Sequence, residues 1–127
     1  MNQLDKARLA ARKERFLQDP LPVRLGNLAS NLTRLRAFST RPEMGDAAKR
    51  VLWESKHFTE WAGLAAEHPV QVELVELQRR LARWQLEWNA VWAYPESRAQ
   101  FGEVARQWSE RVLEFSGLLT EVRGQQA

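Results

Sequence analysis

Glu54-Ser55-Lys56-His57 is the one spacing in this chain that resembles a catalytic motif. On a helix, residues i and i+3 share a face, so a carboxylate and an imidazole at that separation can meet one metal ion. Glu-x-x-His is half of the di-iron carboxylate pattern of helical bundles, whose full site needs a second such pair and two more glutamates. The other histidine, His68, has Ala65 where its partner glutamate would stand. It also precedes Pro69 at an expected turn, which argues against a bis-histidine haem site. His57 therefore reads as a helix-boundary histidine, and neither metal nor cofactor is expected.

Other catalytic chemistry has less to work with. The chain has no cysteine, which excludes disulfides, thiolate metal sites and thiol nucleophiles. It has no Gly-x-Ser-x-Gly elbow and no glycine loop that could cradle phosphate. Gly26, Gly63 and Gly102 fall off the main apolar stripes. They read most simply as tolerated helix glycines, costing about 1 kcal/mol each, with close approach of a neighbouring helix as the alternative. A non-enzymatic protein is expected.

The elements that would position these residues are helices. Leu21, Leu25, Leu28, Leu32 and Leu35 recur at helical spacing, as do Val70, Leu74, Leu77, Leu81, Trp84, Trp88 and Val91. Met44, Val51, Phe58, Trp61 and Ala65 form a third stripe, and Phe101, Val104, Trp108, Val112, Phe115 and Leu119 a fourth. No segment alternates with period two for the length of a strand. Prolines at 20, 22, 42, 69 and 95 punctuate the stripes, with T-x-x-E at Thr40–Glu43 and S-x-x-Q at Ser97–Gln100 read as capping boxes. These signals predict helices near 3–18, 22–38, 43–67, 70–93 and 97–120, with 124–127 frayed.

Short connections favour antiparallel neighbours. The expected fold is all-α: an up-and-down antiparallel four-helix bundle over 20–123, with an additional N-terminal basic helix over 1–19, all in one domain. With 127 residues, a reduced composition, and no apolar run or secretory pattern, a soluble cytoplasmic protein without a membrane span is expected.

The net charge of +3 is uneven: residues 1–40 hold eight basic against three acidic residues, and the remainder eleven against thirteen. Lys6, Arg8, Arg12, Lys13, Arg15 and Arg24 could meet an anion or nucleic acid, although no helix-turn-helix spacing accompanies them. Arg24, Asn31 and Arg34 flank the leucine stripe and could reach Glu54, forming a polar network that fixes helix register. The six tryptophans read mainly as core, with Trp53 and Trp61 toward an edge. An apolar ligand among Trp84, Trp88 and Trp108 is a further alternative.

The helix expected at 70–93 carries a second apolar side: Val72, Val75, Ala82, Leu86, Ala90 and Ala93 fall nearly opposite its core stripe. Glu76–Arg80 and Arg83–Glu87 would pair on one flank. A helix apolar on two sides is central in its fold or covered by a partner. The favoured expectation is thus an interaction or adaptor module that forms a homodimer through Val72, Val75, Ala82, Leu86 and Ala90, together with Trp53 of the preceding helix. An unidentified protein partner and nucleic acid are the other partner classes.

Overall fold

The computed structural model describes residues 2–117. They form six α-helices: α1 (Gln3–Gln18), α2 (Leu21–Ser39), α3 (Gly45–Gly63), α4 (His68–Leu86), α5 (Trp88–Ala93) and α6 (Pro95–Ser116). A 3₁₀ turn at Pro42–Met44 leads into α3, and no strand occurs among the described residues. The all-α expectation holds. The expected run of the last helix to 120 and the frayed tail at 124–127 lie outside the described residues.

Helix ends follow local chemistry, though not always the chemistry expected. Asn2 caps α1 by accepting from the Asp5 N–H at 2.8 Å. At the α1–α2 junction, Asp19 and Pro20 take extended backbone and Pro22 occupies the first turn of α2. Gly117 ends α6 in the left-handed region at φ +75°, where a side chain would be strained. Neither expected capping box forms. Thr40 Oγ1 donates back to the Ala37 carbonyl, while Glu43 pairs with Arg41. Ser97 lies inside α6, which starts two residues earlier, and donates to the Tyr94 and Ala90 carbonyls.

The helix expected at 70–93 is two helices. Its backbone breaks at Glu87, with φ −100° and ψ 18°, although the Glu87 N–H still reaches the Arg83 carbonyl at 2.9 Å. The change of direction gathers an aromatic cluster. Trp88 and Trp92 stack at 5.1 Å, and Phe101 meets Trp84, Trp88 and Trp92 edge-on at 4.6, 5.6 and 6.0 Å. Trp92 Nε1 donates to the Pro42 carbonyl at 2.8 Å and lies over Gly45, where a Cβ would come within 2.7 Å of that nitrogen. The 3₁₀ turn and the start of α3 are thereby tied to α5.

Packing is most extensive between α2 and α6, then between α2 and α3 and between α3 and α4, an arrangement compatible with a bundle. The shared core includes Leu25, Leu28, Leu32 and Leu35 from α2, Leu52 from α3, Leu74, Leu77 and Leu81 from α4, and Phe101 and Val112 from α6. Small residues line the α2–α6 contact. Ser109 Oγ donates to the Ala29 carbonyl at 2.9 Å and lies 2.8 Å from Thr33 Oγ1. A Cβ on Gly102 would overlap the Ser39 side chain, coming to 2.8 Å of its Cβ. Gly102 is therefore a site of close approach, not a merely tolerated helix glycine. Gly63 has open space around its Cβ direction, as the simpler reading expects.

Gly102→Ala forces a buried methyl into Ser39, whose Oγ is held on the Arg36 carbonyl at 2.6 Å. The expected cost is about 1–3 kcal/mol, typical of overpacking a dense contact. Chemical denaturation of the variant measures it, with Gly63→Ala as a control that loses no stability.

Candidate functional site

α1 lies against α3. Phe16, its one buried side chain, stacks on Phe58 at 4.5 Å and lies 5.6 Å from Trp61. Trp61 is consequently 4% exposed, so it belongs to the core and not to an edge as expected. Below this aromatic contact, Arg12 Nη1 donates to Glu54 Oε2 at 2.5 Å, and Asn31 Nδ2 donates to Glu54 Oε1 at 3.0 Å. One carboxylate thus links α1, α2 and α3, with each oxygen accepting from a different helix.

Of the expected register network, the structure brings together Asn31 and Glu54 and supplies Arg12 as the third member. Arg24 is not in it. Its guanidinium turns back onto the C-terminal carbonyls of α1, with Nε donating to Asp19 at 2.6 Å and Nη2 to Leu17 at 2.9 Å. Those carbonyls lack helical partners, and a cation there also meets the negative end of the helix dipole. Arg34 is exposed and pairs with no carboxylate among the described residues. Sequence spacing could not identify Arg12, because it lies 42 residues from Glu54 and meets it only once Phe16 docks α1.

Beside the Arg12–Glu54 link, α1, α2 and α3 enclose a groove of about 620 Å³. Leu9, Phe38, Ala47 and Val51 supply apolar surface, and one edge of the groove is formed by Trp53. Arg8, Arg34 and Arg50 also line it, none of them engaged in a hydrogen bond or ion pair among the described residues. Asp5 is the groove's second carboxylate. Unpaired guanidinium forks beside apolar walls can bind an oxyanion while covering an apolar body.

Glu54 and His57 meet different neighbours, Glu54 being held by Arg12 and Asn31. His57 sits between Trp53 and Trp61, at ring separations of 4.5 and 5.5 Å. Burial lowers its pKa below the ordinary imidazole value, opposed by Glu60 and assisted by Lys56. No group of three or more potential metal ligands occurs among the described residues.

α4 presents the second candidate surface. Val72 and Val75 are each 51% exposed, Leu86 is 87% exposed and Ala82 is half-buried; Ala90, expected on the same helix, is exposed but belongs to α5, beyond the break at Glu87. Trp53 is half-buried and lines a hollow with Lys49 and Gln85, which the valines do not line. The expected i,i+4 pairs are replaced. Glu76 pairs with Arg79, Arg80 stands over the Trp84 ring at 6.0 Å, and Arg83 has no ion pair among the described residues.

The basic residues of the N-terminal third do not form one surface. Arg8 and Arg12 line the groove and Arg15 follows them on the same side of α1 by helical geometry, one turn beyond the groove, whereas Lys6 and Lys13 lie on another side. Arg24 is occupied as a helix cap. Trp84 and Trp88 are buried with Phe101, leaving a shallow cleft of about 260 Å³ along Trp84. Trp108 is half-buried beneath the Arg111 guanidinium, 4.6 Å from its ring. No helix among the described residues is long and apolar enough to cross a membrane.

No family model matches the chain, and no characterised protein or solved structure shows significant similarity to it.

The depressed His57 pKa fixes a sign for the pH dependence. Folding favours the neutral ring, so its contribution is complete above the ordinary value of about 6.5 and is lost as pH falls through the lower folded value. Stability should decline on acidification through this range. His57→Gln should flatten that part of the profile, measured by urea denaturation at a series of pH values; an unchanged slope would assign the titration elsewhere.

Proposed function

We propose that this protein is a non-enzymatic helical interaction module that associates with a second copy of itself through the outward side of α4. The observation that carries this reading is that α4 is apolar on two sides. Leu74, Leu77, Leu81 and Trp84 enter the core, whereas Val72, Val75 and Leu86 are left in solvent on the opposite side.

The reading includes an up-and-down bundle of α2, α3, α4 and α6, with α1 as an added wall. Contacts in reversed order support it. Ser109 meets Ala29 while Glu103 meets Arg36, and Lys56 meets Gln85 while Gln71 meets the Gly63 carbonyl. Arg111 meets Glu73 as Trp84 meets Phe101. In such a bundle, α4 has one inward side, and its remaining apolar side needs a separate explanation.

Charge and spacing support a second copy as the occupant. Val72, Val75, Arg79, Ala82 and Leu86 recur at alternating steps of three and four, the spacing of a helix-pairing seam. An antiparallel two-fold pairing sets Val75 against Leu86 of the other copy. It also brings Glu76 beside Arg83 of that copy, which has no ion pair among the described residues, twice by symmetry. Arg79, inside the seam, extends its guanidinium outward to Glu76, which keeps its charge in water. Nucleic-acid binding through α1 has less support, because its cations are divided between two faces and Arg12 is held by Glu54.

Sedimentation at micromolar concentration should give a species near twice 14.8 kDa. The Val75→Glu, Leu86→Glu double variant should be monomeric with unchanged helical content. Glu76→Arg and Arg83→Glu should each weaken association by about 1 kcal/mol or more, and combining them should restore it. A wild-type chain that stays monomeric at about 100 μM would overturn the proposal.

A further inference from the structure

We infer that the groove between α1, α2 and α3 is a binding site for a small amphipathic anion, an acyl or aryl chain carrying a carboxylate or phosphate head. Its volume of about 620 Å³ lies within the range of small-molecule sites. Three helices surround it, and the Arg12–Glu54 pair forms one of its ends. Beyond that pair, Phe16 stacks on Phe58 and fills the space between α1 and α3. A groove stopped in this way suits a short molecule better than a peptide running through it.

Charge selects the head group. Four arginines line the groove against two carboxylates, and Glu54 is already engaged on both oxygens by Arg12 and Asn31. Arg8, Arg34 and Arg50 have no hydrogen-bond or ion-pair partner among the described residues. They come from three different helices, so guanidinium forks can approach one oxyanion from several directions. Leu9, Phe38 and Val51 provide the apolar surface for the attached chain. Asp5 opposes an anion near its own position, which favours seating the head toward the arginines of α2 and α3.

The α4 surface is a separate feature, so this site does not depend on self-association. The site is tested on the full chain by calorimetric titration with decanoate, decyl phosphate and decanol. Decanoate or decyl phosphate should saturate at one molecule per chain, and comparison of the two identifies the preferred head group. Decanol should bind at least about tenfold more weakly, because it offers the arginines no charge. Arg34→Glu and Arg50→Glu should each reduce affinity for the anion at least about tenfold. Arg15→Glu makes the same charge change on α1 outside the groove and should leave affinity within about twofold. Thermal melts of these exposed-site variants establish that they are folded. Absence of saturable binding by both anions, equal binding of decanol, or an Arg15→Glu loss as large as that of Arg34→Glu would each overturn the assignment.

Discussion

The close approach of α2 to α6 is the constraint on which the remaining packing depends. Gly102 leaves room for Ser39, and Ser109 replaces a larger side chain with a hydroxyl that bonds the Ala29 carbonyl. Side chains of ordinary size at these positions would hold the helices apart, leaving the leucines of α2 unable to fill the space they now occupy. With α6 seated so near, Phe101 projects into the cluster formed by Trp84, Trp88 and Trp92. Trp92 in turn fixes the Pro42 carbonyl and the start of α3. A constraint at two small residues is thereby transmitted to the entry of a helix on the other side of α2.

The N-terminal helix is attached by unlike interactions acting at different heights. Phe16 contributes apolar burial, Arg24 satisfies the free carbonyls at the end of α1, and Arg12 meets a carboxylate that Asn31 holds from α2. The ion pair is partly solvated and contributes modestly to stability by itself. Its greater effect is geometric: it sets the rotation of α1, which turns Arg8 and Leu9 toward the same groove. A segment that reads as a basic arm thus becomes one wall of a groove, which Arg8 and Arg12 line.

The two candidate surfaces flank α3. Trp53 stands at their boundary, lining the groove on one side and a hollow with Gln85 on the other. Association through α4 would leave Arg8, Arg34 and Arg50 open, since they are carried by α1, α2 and α3. Self-association and anion binding are therefore compatible within one chain, with α3 as the element common to their surroundings. His57, between Trp53 and Trp61, adds an aromatic spacer to that helix.

The helical class and most core residues were legible in sequence because burial on a helix repeats every 3.6 residues, and the leucines of α2 and α4 keep that period. The outward apolar side of α4 was legible for the same reason, through Val72, Val75 and Leu86. Periodicity did not reveal the break at Glu87, since apolar residues continue across it and the bend depends on where Trp88 and Trp92 find partners. Nor did it distinguish Gly102 from Gly63: both are helix glycines, and only the proximity of Ser39 makes one indispensable to close packing. Asn31 and Glu54 could be suggested as partners from helix faces, but Arg12 holds the place expected of Arg24, which instead caps the end of α1. The sequence by itself determined helices and the faces they bury, which are local consequences of backbone geometry and hydrophobicity. The tertiary structure decided which charges meet, which glycine is crowded and where a groove remains, because those depend on distances between segments far apart along the chain.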